Sequence, residues 1–328
     1  MTSVFYIGAT GYIGDGAGSV LVSLIKQYPS WNVNALVRGE KYFEPVRALG
    51  VTVIHGTFSD ESLIAEQVRA ADIVINAADS DHVQLNAAIL VGMKRRFDEG
   101  KPKGILIHTS GVSNFHDGTT EGKYNPDCRV WNDARENDIK DINTSQMHGH
   151  VDVPILKAGE EGYVNAYIVC PSGVVGATPA DVPVKNGTIL LKVVAQAYVE
   201  AKEAFYIGEG ANEYQLVHIE DLVDYLMRVV DIAVNGKDEG ASPYARYFIV
   251  TTGATTWKEI AEIAAERLHR RSILQNPTSR RVAFIGADER PVAGKGEGLG
   301  WKPRHLDLKK YISDAMDEVL DGFQTAGK

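Results

Sequence analysis

Close to the N-terminus the apolar run Val4-Phe5-Tyr6-Ile7 passes directly into Gly8-Ala9-Thr10-Gly11-Tyr12-Ile13-Gly14. A second apolar run, Val20-Leu21-Val22-Ser23-Leu24-Ile25, follows it. Read locally, this is a buried strand, a glycine-rich turn and a helix packed back on the strand. Few folds accommodate that order, because three glycines in one turn make sense where something must approach the backbone. Gly8 permits the tight turn, Gly11 admits a pyrophosphate to the main chain, and Gly14 lets the helix pack close to the strand. The free N–H groups and positive dipole end of the helix then meet the anion. The plain alternative is an ordinary glycine-rich turn without a ligand.

The rest of the first 110 residues repeats the alternation. Strands are expected at Val33–Val37, Val51–Ile54, Ile73–Ala77 and Ile105–His108, with helices at Tyr42–Leu49, Glu61–Arg69 and Val83–Phe97. Short apolar strands separated by helical segments mean βαβ units and a parallel sheet. The fold class is therefore α/β, a doubly wound parallel sheet, with a smaller C-terminal α/β lobe. Residues 1–175 are assigned to the dinucleotide-binding domain and 176–328 to the lobe, with part of 205–252 returning to the sheet. From Gly111 to Gly149 the pattern lapses, apart from a helix expected at Trp131–Ile142. Helices are expected again at Val151–Glu161, Thr188–Lys202, Ile219–Val234, Thr256–Leu268 and Leu306–Val319. Strands are expected at Val164–Val169, Gln215–His218 and Arg246–Thr251. Thr255 or Thr256 caps the fourth of these helices, with Glu259 as capping-box partner, and Arg270–Arg304 reads as a surface excursion.

Charge narrows the partners. A net charge of −9 over 328 residues argues against a nucleic-acid or anionic-membrane surface, both of which require a basic footprint. No apolar stretch approaches the ~20 residues of a membrane helix. The two cysteines, Cys128 and Cys170, lie far apart and in no metal-ligand spacing, so reduced thiols and a cytoplasmic location are expected and no metal is. The expected partner is a small-molecule substrate, with a homodimer through Val83–Phe97 and Trp131–Ile142 as a further expectation. At the end of the second strand stands Val37-Arg38-Gly39, where a guanidinium suits a ribose 2′-phosphate and a carboxylate would repel it. This favours NADP(H) over NAD(H). Glu40 is the residue that speaks against it, and a solvated Arg38 is the plain alternative.

These features together resemble the extended branch of the short-chain dehydrogenase/reductase superfamily, in particular its NAD(P)-dependent epimerase/dehydratase and dihydroflavonol-reductase-like group. Further motifs carry the resemblance over nearly the whole chain: Asn76-Ala77-Ala78-Asp79, Pro171-Ser172-Gly173-Val174-Val175-Gly176, Tyr206-Ile207-Gly208-Glu209-Gly210 and Val217-His218-Ile219-Glu220-Asp221-Leu222. The resemblance implies cofactor contacts from Gly8, Thr10, Gly11, Tyr12, Ile13, Gly14, Arg38, Thr57 and Phe58. It implies others from Ala77, Ala78, Asp79, Thr109, Pro171 and Val174, with the nicotinamide over Val174.

One departure matters. The family uses a Tyr as proton donor and a Lys four residues on, at the start of the helix before the Val164–Val169 strand. Here that place reads Gln146-Met147-His148-Gly149-His150-Val151-Asp152, without such a pair. His148 is the positional substitute, with Asp152 one helical turn on to orient its ring. His150 competes for the role, because the alignment can slip by two. The family's Ser falls on Gly111, leaving Ser110 and Ser113 as candidates to hold the substrate oxygen. Tyr124, Trp131 and Asp133 are lesser candidates, and His218 with Asp221 reads as structural. The expected activity is an NADP(H)-dependent oxidoreductase on a small carbonyl or alcohol. The alternatives are a catalytically silent NADP(H)-binding sensor or scaffold, and a non-redox isomerase or lyase.

Overall fold

The computed structural model describes residues 1–13, 20–119, 121–178, 187–276, 278–282 and 287–326. Gly14 lies outside the described residues. Strands β1 (Ser3–Ile7), β2 (Asn32–Val37), β3 (Thr52–His55), β4 (Ile73–Asn76) and β5 (Gly104–Thr109) alternate with helices α1 (Val20–Gln27), α2 (Phe43–Arg47), α3 (Glu61–Ala70) and α4 (Val83–Asp98). Next come β6 (Val130–Asn132), α5 (Glu136–Lys140), α6 (Gly149–Glu160), β7 (Val164–Pro171) and β8 (Gly173–Val175). The remaining elements are α7 (Ile189–Ala201), β9 (Ala204–Ile207), β10 (Glu213–His218), α8 (Ile219–Asn235), β11 (Tyr247–Val250) and β12 (Gly253–Thr256). Last are α9 (Trp257–Arg270), β13 (Ser279–Val282), β14 (Arg290–Val292) and α10 (Leu308–Ala326).

Seven parallel strands form the main sheet in the order β11-β7-β5-β4-β1-β2-β3. Along β1 the side chains alternate between two cores: Val4 and Tyr6 join α1 and α8 on one face, Phe5 and Ile7 join α3, α4 and α6 on the other. That is the period of two that a strand covered on both sides imposes. The chain winds away from β1 in both directions, so the C-terminal ends of β1 and β4 splay apart and open a crevice. A third core, built by α7, α9 and α10, holds the lobe together, where β8, β10 and β12 form a small mixed sheet.

Two expectations are overturned. Residues Trp131–Ile142 do not form one helix: Val130–Asn132 is a strand, and only Glu136–Lys140 is helical. The strand pairs in parallel with Arg290–Val292, so the supposed excursion at Arg270–Arg304 carries β14, and β13 besides. The Asp138 carboxylate also folds back to accept the Asn132 N–H at 2.8 Å, which fixes where the short helix begins. A pairing across about 160 residues of chain leaves no local periodicity to read.

Candidate active site

The crevice at the C-terminal ends of β1, β4, β5 and β7 is a cleft of about 950 Å³. At one end the glycine-rich turn closes with Gly11 N–H donating to the Gly8 carbonyl at 2.9 Å, and Gly8 has φ +101°. A Cβ at Gly8 would sit 2.5 Å from the Ala77 carbonyl oxygen, so only glycine lets this turn lie on the end of β4. Thr10, Tyr12 and Ile13 line the same end, and the Tyr12 hydroxyl donates to the Gly176 carbonyl at 2.6 Å. Arg38 lies 4.6 Å above the Phe58 ring, and both line the cleft with Thr57. Glu40, by contrast, is exposed and not among the lining residues. Ala77, Ala78 and Asp79 form the wall beyond β4, and Thr109, Pro171 and Val174 the floor.

This end fits a dinucleotide on the chemistry of its own residues. It has a tight glycine turn for a phosphate and a guanidinium over an aromatic ring. Thr109 and Ser172 also line the cleft, and their buried hydroxyls have no partner.

The other end is organised by His148. This residue caps α6, and its backbone N–H donates to Asn114 Oδ1 at 2.7 Å. Its Nδ1 lies 2.8 Å from Asp81 Oδ1 and 3.3 Å from Ser80 Oγ. Asp81 is held for this contact by a turn in which the Asp79 carboxylate accepts the Asp81 N–H at 2.9 Å. The second ring nitrogen, Nε2, lies against Gly111; a Cβ there would stand 2.7 Å from it. The glycine that displaces the expected serine is thus what gives the imidazole its room. His150 is turned aside, with Nε2 3.3 Å from the Asp81 carbonyl oxygen, and does not line the cleft.

Asp152 does not orient His148, contrary to expectation. It is fully buried beneath β5 and accepts on Oδ2 from Ser110 Oγ (2.7 Å), Asn114 Nδ2 (2.8 Å) and the Tyr247 hydroxyl (2.9 Å). The side chain one turn along a helix from its cap points under the sheet, while the cap residue points out of it. Burial pushes the Asp152 carboxyl up to about 6, against its three donors and the neighbouring His148. Below it, burial and His148 push His108 down to about 3. Asn76 Oδ1 accepts the Ala78 N–H, so its Nδ2 faces His108 Nδ1 at 3.2 Å. His108 therefore carries its proton on Nε2, 3.8 Å from Asp152 Oδ1.

Ser110, tied to Asp152, and Ser113 both line the cleft. The lesser candidates stand outside it. Tyr124 bonds Arg290, Trp131 packs on Phe115, and Asp133 accepts the Ile249 and Lys295 backbone N–H groups. A Tyr-x-x-x-Lys spacing does occur at Tyr198 and Lys202, but on α7, where the Tyr198 hydroxyl donates to the Phe205 carbonyl. Sequence reading missed Ser80, Asp81, Asn114, Ser172 and Tyr214. The Asp-Ser-Asp turn after β4 was the available signal for Asp81.

Spacing also hid a cluster away from the cleft: His218, Glu220 and His305 place ligand-type atoms within 4.8 Å of one another. The His218 Nδ1 accepts the Glu220 N–H, which puts its proton on Nε2, the nitrogen a metal would need. The two imidazoles stack at 3.9 Å, and burial, with His305, pushes His218 down to about 4. The stacked pair closes the lobe, with Asp221 accepting the Arg304 and His305 N–H groups beside it.

Sheet order, crevice and glycine turn together define a doubly wound parallel α/β fold with its cleft at the C-terminal ends of the strands. More narrowly, residues 2–95 match the model of the NmrA-like family. The chain is 25% identical to the oxidase ucsJ of an Acremonium species, over 94% of this chain and 95% of that one. A dTDP-glucose 4,6-dehydratase of Streptomyces venezuelae, solved with NAD bound, superposes with a TM-score of 0.68 at 16% identity, over 98% of both chains. The UDP-glucose 4-epimerase of Thermotoga maritima, solved with UDP-glucose, gives 0.65 at 12% identity over 100% of both. No helix among the described residues is long and apolar enough to cross a membrane.

Proposed function

We propose that the chain is an NADP(H)-dependent oxidoreductase acting on a small carbonyl or alcohol, with His148 in the proton-transfer role. The observation that carries this reading is the His148 ring itself. It stands in the cleft with Nδ1 on the Asp81 carboxylate and Nε2 in the space that Gly111 vacates. With Nδ1–H held by Asp81, Nε2 is the nitrogen that gives or takes a proton. When bound, the dinucleotide supplies hydride exchange at its nicotinamide ring. Ser113 is placed to hold the substrate oxygen, whereas Ser110 serves Asp152. Arg38 over Phe58, with Glu40 turned away, supports NADP(H) over NAD(H). The relative named as an oxidase supports redox chemistry. Two free, buried cysteines support a cytoplasmic setting.

The test is NADPH oxidation across a carbonyl panel, with NADPH binding followed separately by its fluorescence. His148→Ala is expected to lower turnover by about 10²–10⁴-fold and to leave binding intact. Gly111→Ser, which restores the family's residue, is expected to lower turnover as well, because its Cβ meets the imidazole. Unchanged turnover in His148→Ala removes His148 from the reaction. NADPH binding with no turnover on any carbonyl puts the silent sensor in the oxidoreductase's place.

A further inference from the structure

One buried side chain holds the start of α6 from beneath. Asn114 lies on the short 3₁₀ turn Val112–Phe115 that follows β5. Its Oδ1 accepts the His148 N–H at 2.7 Å, while its Nδ2 donates to Asp152 Oδ2 at 2.8 Å. These partners leave the amide one orientation. A backbone N–H can only donate, and Asp152 Oδ2 also takes the Ser110 and Tyr247 hydroxyls, so it faces the amide as an acceptor. The Asn114 carbonyl accepts Gln146 Nε2 at 2.8 Å, which ties the turn to the segment before the helix a second time.

His148 needs such an anchor. As the cap of α6 it has an N–H that the helix does not use, whereas its carbonyl accepts the Val151 and Asp152 N–H groups. The helix therefore fixes the carbonyl side of the residue and Asn114 the amide side, and the direction of the Cα–Cβ bond follows from the two. The ring at the end of that bond meets Asp81 Oδ1 with Nδ1 and lies against Gly111 with Nε2. Gly111 adjoins the same turn, and its carbonyl accepts the Asn114 N–H at 3.4 Å. One stretch of chain thus sets both the backbone of His148 and the space its ring enters.

We propose that Asn114 is a positioning residue for proton transfer: its amide, keyed by Asp152, holds the His148 main chain so that the ring is aimed into the cleft. This rests on reading His148 as the proton-transfer group. Asp152 bonds no atom of the ring; it holds the amide, and the amide holds His148. A displacement of about 1 Å at a reacting group can cost ~10²-fold in rate, so an anchor outside the chemistry matters to it.

The experiment uses the full chain labelled with ¹⁵N-histidine, with His148→Ala to assign the signals by magnetic resonance. In the wild type the His148 backbone N–H is expected to exchange slowly with solvent. Its neutral ring is expected to carry the proton on Nδ1 and leave Nε2 bare. Asn114→Leu, close in size but able to make neither bond, is expected to quicken that exchange and to move the ring signals toward a mixture of the two tautomers. On a carbonyl that turns over, it is expected to lower kcat about tenfold or more, with KM and NADPH affinity changed by less than about twofold. Asn114→Ser, which suits the same turn, carries the test if the leucine variant does not fold. Rapid exchange of the His148 N–H in the wild type overturns the proposal, and so does a folded variant that loses NADPH binding as far as it loses kcat. The two levels stay distinguishable. A wild-type ring protonated on Nε2 removes His148 from its role and this inference with it. A wild-type ring as expected, whose signals do not respond to Asn114, sinks the inference alone. Ring signals that respond without turnover on any carbonyl sink the oxidoreductase alone.

Discussion

Asp152 shows how much a single side chain can hold. Its carboxyl is sealed under β5, and burial lifts it to about 6, so the folded chain keeps a proton there that the unfolded chain has already released. A raised acid contributes stability that is complete below its unfolded pKa and is lost as pH rises through the folded one. The window here runs from about pH 4 to about pH 6, and the loss across it is of the order of 3 kcal/mol. Asp152→Asn removes this slope. Urea unfolding is therefore expected to show the wild-type advantage over Asp152→Asn shrinking steadily between pH 4 and pH 7, and a constant difference would contradict the assignment. His148 and Asp152 were both legible in the sequence as residues at the start of one helix. Their relation was not, because a four-residue spacing says nothing about which way a helix cap turns. Asp81 could be placed only once β4 and α6 were side by side.

Elements were read best where their signals are local. The alternation in β1, the glycine turn, and the Thr256 cap whose hydroxyl accepts the Glu259 N–H at 3.2 Å all lie within a few residues of chain. The cap prediction left Thr255 and Thr256 open, and the structure uses both: Thr255 Oγ1 donates to the Glu259 carboxylate at 2.7 Å. β6 and β14 were missed because each exists through the other. Helix packing lies between these cases. α3 and α4 touch so closely at Gly92 that a Cβ there would stand 2.6 Å from the Ala65 carbonyl oxygen and from the Val68 side chain. Gly92→Ala favours the helix intrinsically by up to ~1 kcal/mol, but the contact forces the helices apart at a cost of ~1–3 kcal/mol. The net outcome expected from a urea midpoint is destabilisation, and a more stable variant would mean that the pair separates freely.

At the level of the whole molecule, the segment that carries β14 fastens the irregular stretch after β5 to the lobe. Asp288 is buried and accepts the backbone N–H groups of Glu213 and Asn125, while its own N–H donates to Asp117. Glu289 repeats the pattern toward Gln215 and pairs with His116. Asp288→Ala leaves two donors without an acceptor, at ~1–3 kcal/mol each. Hydrogen exchange is expected to quicken at residues 116–132 and 213–218 while β1 to β5 keep their protection; uniform loss everywhere would mean that the clasp serves global stability alone. None of this was visible in the chain's periodicity, which records which face of an element is apolar and not which distant loop it must hold. The sheet order has a further consequence, in the time domain of synthesis. β11 is the outer neighbour of β7, yet it lies about 80 residues later in the chain. At ~5–20 residues per second, the nascent chain spends roughly 4–16 s with an apolar strand edge bare to the cell. Whatever shelters that edge at the ribosome decides how much of the protein reaches its finished form.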